Sequence, residues 1–432
     1  LRLAAFVLAP LLLYLYVPLR GPATPWLHPT LAPGQTLALF DSSPLGVLRF
    51  ILGVGFAPAL RDPAAALAQM PHAAALLLQH FGWPGFLLIL LGLAALALEG
   101  RLALLAFSGL GFLSVVAFNL FYGIGDIEPF YLPAYLIATL WLTLGLAYAV
   151  DLVTRATSTR LRPLLLTLTA LALILPALQW PAARASFDKR LAVETRLRWQ
   201  TILAQPLPAD AILVSNDRDE MVPLLYVQQI EGQAPGLTGL FPLISPDLAW
   251  ADLRATLDSA LATGRPVFTI KPMPGVEALY AVEALPGELL RVQGRRPAPD
   301  PSFEYPYGDY LRWLNLEWWG DALPGGELHI TLYWRVTQTP PQTWHSFLQV
   351  FNAAGERIKQ ADDHRPGGVY LPSPQWRPSD VIVDSFTLPL PEELPPGGYT
   401  VVAGFYNPDT GARMADPLPV ATLISPSSRP RR

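Results

Sequence analysis

The chain is expected to fold as a multi-pass α-helical membrane domain of about five helices, followed by a small α/β domain and an antiparallel β-sandwich. Apolar runs crowd the sequence up to Trp180, and only 15% of its 432 residues are charged against 52% hydrophobic. Soluble proteins carry about 25% charged residues. After Trp180 ordinary globular patterning takes over, and it becomes strict alternation in Glu327–Val336.

A bilayer core takes about 20 mainly apolar residues per helix. Five runs approach that length, at 1–17, 85–98, 102–122, 131–150 and 163–180. The second is short, and Phe81 and Trp83 extend it toward the interface. Leu1 already lies inside an apolar run, without a start Met, basic leader or small-residue cleavage site. That run reads as the last part of a membrane helix, so an N-terminally truncated sequence is expected. Only tight polar turns separate the last four runs, which is hard to reconcile with a soluble fold.

Basic residues in short loops mark the cytoplasmic side. Arg101 lies between the second and third runs, and Arg155, Arg160 and Arg162 between the fourth and fifth. Both loops are therefore predicted to be cytoplasmic. Loop 123–129 holds Asp126 and Glu128 but no Lys or Arg, and falls outside. Alternation also places 18–84 and everything after Trp180 outside. The expected membrane region spans 1–184.

Residues 185–205 suit a domain-leading helix. Residues 211–215 (AILVS) and 265–271 (RPVFTIK) read as buried strands, with helices at 219–229 and 246–263 between them. This order predicts a small α/β layer over 185–295. A Pro-rich break at 295–301 (RRPAPDP) leads into a sandwich over 302–424. There Leu328, Ile330, Leu332, Trp334 and Val336 share one face while His329, Thr331, Tyr333 and Arg335 share the other, a half-buried strand. Further strands are read at 310–318, 346–351, 381–388 and 399–406, divided by Gly- and Pro-rich turns at 323–326, 367–374 and 395–398. The tail 425–432 reads as disordered.

Without cysteine there is no disulfide framework, thiolate metal site or Cys nucleophile. The formal charge of −4 and a lysine set limited to Lys189, Lys271 and Lys359 argue against a nucleic-acid partner. No P-loop, dinucleotide fingerprint, HExxH or GxSxG occurs, so nucleotide cradles and several hydrolase classes lose support. What remains is a set of polar residues at the outer membrane face. Residues 119–135 (NLFYGIGDIEPFYLPAY) place two carboxylates and several tyrosines between membrane helices. Acidic groups there are costly unless paired, hydrated or working. Asp126 or Glu128 can orient a sugar hydroxyl, coordinate a metal or act as general base. They equally fit a turn that ends one helix and starts the next, with Tyr131 and Tyr135 as interfacial aromatics. In 18–84, Arg20 and Arg49 suit a lipid phosphate or plain snorkelling. Trp26, His28 and Asp41 accompany them, and His28 has no partner at ligand spacing.

Three runs, 14–30 (YLYVPLRGPATPWLHPT), 76–93 (LLLQHFGWPGFLLILLGL) and 119–146 (NLFYGIGDIEPFYLPAYLIATLWLTLGL), resemble in content and order a large membrane family long called a domain of unknown function. Its animal member is a protein O-mannosyltransferase of the secretory pathway. The family is similar to GT-C glycosyltransferases, with many membrane helices, a dolichyl- or polyprenyl-phosphate sugar donor and an active site facing away from the cytoplasm. The resemblance covers residues 1 to about 185, and 126–135 (DIEPFYLPAY) is its most specific element. It implies an enzyme of the bacterial plasma membrane, with extracytoplasmic C-terminal domains. Such an enzyme moves a sugar, mannose being one candidate, from a polyprenyl-phosphate donor to an envelope protein or glycan. Asp126 and Glu128 are then the catalytic candidates, and Arg20, Trp26, His28, Arg49, Tyr131 and Tyr135 the substrate-binding ones. No metal ligands are assigned, and a divalent metal requirement is left open.

Two departures qualify the resemblance. His28 stands in 26–29 (WLHP) where the family often has an acid or amide. The family's catalytic acid normally lies in the first outer loop, expected before Leu1, so this chain is expected to supply walls of the site.

The sandwich resembles modules appended to large bacterial envelope glycosyltransferases. Trp313, Trp318, Trp319, Trp334, Trp344 and Trp376 offer sugar-stacking faces or fill the core, as the alternation around Trp334 indicates. Residues 361–370 (ADDHRPGGVY) gather Asp362, Asp363 and His364 in an expected loop, a Ca²⁺ site or a solvated turn. Two rival functions fit the same sequence. One is a non-catalytic, membrane-anchored protein that binds envelope carbohydrate through the sandwich, and the other a lipid-linked-sugar polymerase or ligase.

Overall fold

The computed structural model describes residues 9–24, 27–156, 193–243, 248–300, 304–320 and 323–425, with Pro163, Thr167 and Arg184. The chain divides into two compact units, one of Leu48–Ala192 and one that joins Leu1–Val47 to Val193–Arg432. The opening segment forms a 3-10 helix, Ala9–Leu15, then α1 (Tyr16–Arg20), the β1–β2 pair (Thr30–Ala32 and Gln35–Thr36) and α2 (Pro44–Ile51).

The apolar unit holds α3 (Pro63–Leu67), α4 (Met70–Leu98), α5 (Leu102–Phe121) and α6 (Leu132–Ala156). Three helical stretches, Pro63–Leu98, Leu102–Phe121 and Glu128–Arg155, are long and apolar enough to cross a membrane. The described part of the first expected run is the short helix pair at 9–20. The fifth, 163–180, lies almost wholly outside the described residues. The second run is longer than expected, because α4 begins at Met70 and continues through Gly82 and Pro84. Gly82 takes φ 62° and ψ 172°, so these residues kink a helix instead of starting one. Much of 63–84, expected as outer loop, is therefore helical.

Small residues set the packing. A Cβ at Gly92 would sit 1.8 Å from the Trp141 carbonyl oxygen, and one at Gly145 2.0 Å from that of Leu88. The backbones of α4 and α6 thus touch, a close approach that only small residues permit. The Trp141 indole donates to Ser108 Oγ at 2.9 Å, which ties α6 to α5. Leu90, Phe107, Leu110, Leu113 and Leu136 are large apolar side chains left exposed on these helices, a surface compatible with a membrane.

In the other unit, α7 (Glu194–Leu203) leads to β3 (Ile212–Val214), α8 (Arg218–Gln229), β4 (Thr238–Leu240), α9 (Leu253–Leu261), β5 (Val267–Thr269), β6 (Tyr280–Ala284) and β7 (Leu290–Arg295). They form one sheet in the order β4-β3-β5-β7-β6. Strand β3 pairs in parallel with β4 and β5, and the β6–β7 hairpin adds antiparallel strands. Asp217 and Asp252 accept backbone N–H bonds at the starts of α8 and α9, the usual N-cap economy. Arg265 ties β1 to this layer, donating to Leu31 O at 3.1 Å, Asp210 O at 2.6 Å and Gly236 O at 3.1 Å.

The remaining strands are β8 (Tyr305–Tyr307), β9 (Leu311–Gly320), β10 (Glu327–Val336), β11 (His345–Phe351), β12 (Arg357–His364), β13 (Val381–Pro389), β14 (Gly397–Tyr406) and β15 (Leu418–Ser425). They make two four-stranded antiparallel sheets, β13-β10-β9-β8 and β12-β11-β14-β15. Residues 361–364, expected in a loop with Asp362, Asp363 and His364, instead extend β12, paired to β11. One apolar cluster runs from Ile212 and Leu257 through Val276 to Trp334 and Phe405. The α/β layer and the sandwich share this core across the Pro-rich stretch.

Candidate functional site

The candidate site is built at one end of the apolar unit, where α5 ends and α6 begins. Its frame is Arg61. The Arg61 N–H donates to Phe121 O at 2.7 Å, and its guanidinium donates to Tyr122 O at 2.8 Å and Leu120 O at 3.2 Å. A cation here satisfies the last carbonyls of α5 and meets the negative end of its dipole. Gly123 N donates in turn to Ala59 O at 2.7 Å, so residues 59–61 and 121–123 form a short antiparallel bridge. Asp62 follows at once and caps α3, accepting from Ala64 and Ala65 N–H at 2.9 and 3.0 Å.

From this anchor the loop reaches Asp126 and Glu128. Both carboxylates are exposed, while Ile127 between them is buried. Among the described residues neither carboxylate has a hydrogen-bond or ion-pair partner. Tyr131 and Tyr135 lie beneath, both buried and stacked at 6.1 Å. The His80 ring packs 4.5 Å from Tyr135, with its Nδ1 2.8 Å from Leu76 O. The Tyr135 hydroxyl and the Asn119 amide nitrogen are buried without a hydrogen-bond partner. Both are polar groups at the end of the helices that the loop joins, and both keep hydrogen-bonding capacity that no other described side chain uses. Among the described residues no three His, Cys, Asp or Glu side chains converge as a metal set.

The other expected residues fall elsewhere. Arg49 is exposed in the last turn of α2. Arg20 ends α1, exposed, and its carbonyl accepts from Thr24 Oγ1 at 2.7 Å. His28 is half-buried with an unpartnered Nε2. Trp26 lies outside the described residues. Arg20 and His28 belong to the unit that contains the sandwich, whereas Asp126, Glu128, Tyr131 and Tyr135 belong to the apolar unit. At the opposite end of the apolar unit, Glu99, Arg101, Tyr148 and Asp151 help to line a cleft of about 250 Å³. That cavity is not at the predicted site.

Sequence reasoning missed Arg61, Asn119 and His80 as site members. Arg61 bonds only to main-chain carbonyls, so no side-chain motif advertises it. Its one signal is position, immediately before the Asp62–Pro63 helix start.

The unit with the sandwich contains polar clusters of another kind. Glu220 accepts from Lys271 at 2.8 Å, from Arg198 at 3.3 Å and from the Ser215 hydroxyl. Burial pushes its carboxyl up, but the Lys271 and Ser215 hydrogen bonds and both cations hold it below the usual range. Asp380, almost fully buried, accepts from Arg254 Nε and Nη2 at 3.1 and 3.0 Å and also from Arg295. Every charge in these clusters is met.

Comparison with solved structures gives distant likenesses. The C-terminal domain of wzt aligns at 15% identity and a TM-score of 0.22, over 31% of this chain and 84% of its own. The CARDB domain of the PF1109 protein from Pyrococcus furiosus, in complex with di-metal ions, aligns at 12% identity and a TM-score of 0.17, over 29% and 94%. TM-scores of this size define neither a fold family nor a function. No protein-family model and no curated protein matches the chain.

Proposed function

We propose that the chain is a GT-C-like membrane glycosyltransferase of about five helices in a bacterial plasma membrane, with its soluble domains outside. It moves a sugar from a polyprenyl-phosphate donor to an envelope protein or glycan. The observation that supports this reading is the Asp126 loop, whose two exposed carboxylates have no partner among the described residues and which leads into the buried, stacked Tyr131 and Tyr135. That set can accept from sugar hydroxyls and donate to sugar oxygens. In the transfer step the acceptor hydroxyl oxygen bonds to the anomeric carbon, the bond from that carbon to the phosphate oxygen breaks, and a carboxylate takes the hydroxyl proton. Carboxylates repel the donor phosphate, so its countercharge falls, by charge alone, to a basic residue such as Arg49. Arg61 is already committed to carbonyls.

The test is transfer from a radiolabelled polyprenyl-phosphate sugar in membranes that contain the full-length protein. Asp126→Asn is expected to cut transfer by about 10²-fold, the scale of a lost acid–base group, at unchanged protein level. Glu128→Gln is expected to be milder, because the reading assigns the proton transfer to Asp126. Normal transfer by a well-expressed Asp126→Asn protein would end this reading. Orientation is checked in the cysteine-free chain, where Ala354→Cys should react with an impermeant reagent in intact cells and Glu99→Cys should not. The non-catalytic rival draws its support from Trp319, exposed on the sandwich.

A further inference from the structure

The sandwich tryptophans divide cleanly. Trp313, Trp334, Trp344 and Trp376 are 9% exposed or less, whereas Trp319 is 65% and Trp318 51% exposed. Register shows where Trp319 points. It pairs with His329, which pairs with Thr387 on the other side, and Glu317, Thr331 and Ser385 form the next row. Paired residues share a face, and Leu328, Ile330 and Leu332 occupy the buried one. Trp319, His329, Thr387, Glu317, Thr331 and Ser385 therefore form a patch on the outer face. The patch spans three strands, about 10 Å at the usual strand spacing.

Its surface is organised. The Trp319 ring stacks on His329 at 3.7 Å, 16° from parallel, which fixes the indole against the sheet. His329 is bound to Thr387 Oγ1 at 3.2 Å and to Glu327 at 3.1 Å. Glu317 accepts from the Tyr333 hydroxyl at 2.9 Å, and Thr331 and Ser385 hydroxyls meet at 3.1 Å. Burial and the hydrogen bond to Glu317 push the Tyr333 phenol up to about 12, so it stays a donor at neutral pH.

Charge and polarity select the occupant. Arg335 and Arg312, paired across the strands on this face, both reach Glu304, so the patch does not suit a polyanion. Hydroxyl and carboxylate groups surround the Trp319 ring, so it does not suit an apolar helix. An indole held flat beside hydroxyls and an acceptor carboxylate matches the apolar C–H face and equatorial hydroxyls of a pyranose. We propose that the outer face around Trp319 binds a neutral glycan. Trp319 stacks on one sugar ring, while Glu317, Thr331 and Ser385 bond its hydroxyls. The inference stands apart from the transferase reading, because none of these residues belongs to the Asp126 loop.

The experiment presents the full-length protein in nanodiscs to an array of neutral and acidic glycans, then measures affinity for the best neutral hit. Wild type is expected to retain neutral glycans. Trp319→Ala should weaken binding about tenfold, the scale of a lost aromatic contact, and Glu317→Gln by a smaller factor. Trp318→Ala, on the opposite face of β9, should bind as wild type. Trp319 is 65% and Trp318 51% exposed, and a circular dichroism spectrum checks that each variant keeps the fold. The proposal is overturned if acidic glycans alone are held or nothing is retained. It is also overturned if Trp319→Ala binds unchanged. Transfer activity is measured in parallel, so failure here leaves the transferase reading to its own test.

Discussion

Asp126 and Asp380 are the same side chain put to opposite ends. Asp380 is buried and gripped by Arg254 and Arg295, and its Oδ2 also accepts from Arg377 N–H at 2.7 Å. Around it, Arg377 reaches Asp252 at 2.8 Å, and Tyr280 donates to Asp258 at 2.9 Å. The Asp380 and Asp252 contacts join the α/β layer to the sandwich, as do Gly275 and Gly368, where a Cβ on Gly275 would meet the Gly368 backbone. Asp126 is exposed and without a partner among the described residues. A matched buried charge holds structure together, while an exposed carboxylate outside any such network adds little to stability. The comparison separates architecture from function where residue type alone does not.

Reciprocal variants break or sustain that contrast. Asp126→Asn carries the largest effect on activity, about 10²-fold, and should leave the melting temperature unchanged. Asp380→Ala leaves two arginines facing an empty buried site, and breaking such a pair costs about 3–5 kcal/mol. Melting in detergent should show a large loss for Asp380→Ala. Equal melting temperatures for the two variants would erase the distinction drawn here.

The apolar unit has its own internal contrast, between glycines that touch and glycines that do not. Gly145 leaves no room for a side chain, whereas a Cβ at Gly109 meets nothing within 4 Å. Gly145→Leu overpacks the α4–α6 crossing, an error worth about 1–3 kcal/mol or more. The expected outcome is a sharp drop in monodisperse protein after detergent extraction, with Gly109→Leu close to wild type. If both extract equally well, α4 and α6 do not pack through these glycines.

The sequence made some of this legible and hid the rest for physical reasons. Alternation along 327–336 places each residue on the face where β10 carries it, because a period of two follows directly from strand geometry. The α/β layer was readable in Ile212–Val214 and Val267–Thr269, which are buried on both faces and therefore continuously apolar. Strand β4, with the sequence Thr-Gly-Leu, has no such run, and its pairing with β3 is a tertiary outcome. Strand β12 was hidden behind Asp362, Asp363 and His364, residues that favour loops. The start of α4 was missed because Gly82 and Pro84 look like a boundary, yet a helix can kink through them. At the candidate site, the carboxylates and tyrosines were visible as residue types. Arg61 was not, since its partners are carbonyls 59 to 61 residues away. The exposure of Trp319 against the burial of Trp313 also needed the register of β9 on β10.

The smallest effect concerns a pair that is matched only while protonated. His364 Nε2 lies 3.2 Å from Asp384 Oδ1, which also accepts from the Ser346 hydroxyl at 3.0 Å. The Asp384 side chain is fully buried. His364 belongs to β12 and Asp384 to β13, so the contact clips one sheet of the sandwich to the other. Burial pulls the His364 pKa down, but the hydrogen bond and charge of Asp384 outweigh it and raise it above 6.5. Burial also pushes the Asp384 carboxyl up, against the opposing pull of His364. Both folded-state values lie above the unfolded ones, so the folded sandwich holds its protons more tightly. The stability from His364 is complete below the ordinary value near 6.5 and is lost as pH rises through the raised folded value. The Asp384 shift acts in the same direction. His364 is 37% exposed, and with that solvent screening the contribution is under about 1 kcal/mol. The expected result is a melting temperature that declines modestly as pH rises past 6.5, with the slope flattened in His364→Gln. A wild-type profile flat across that range, or the same slope in His364→Gln, would remove the pair as a charged clip and leave it a plain hydrogen bond.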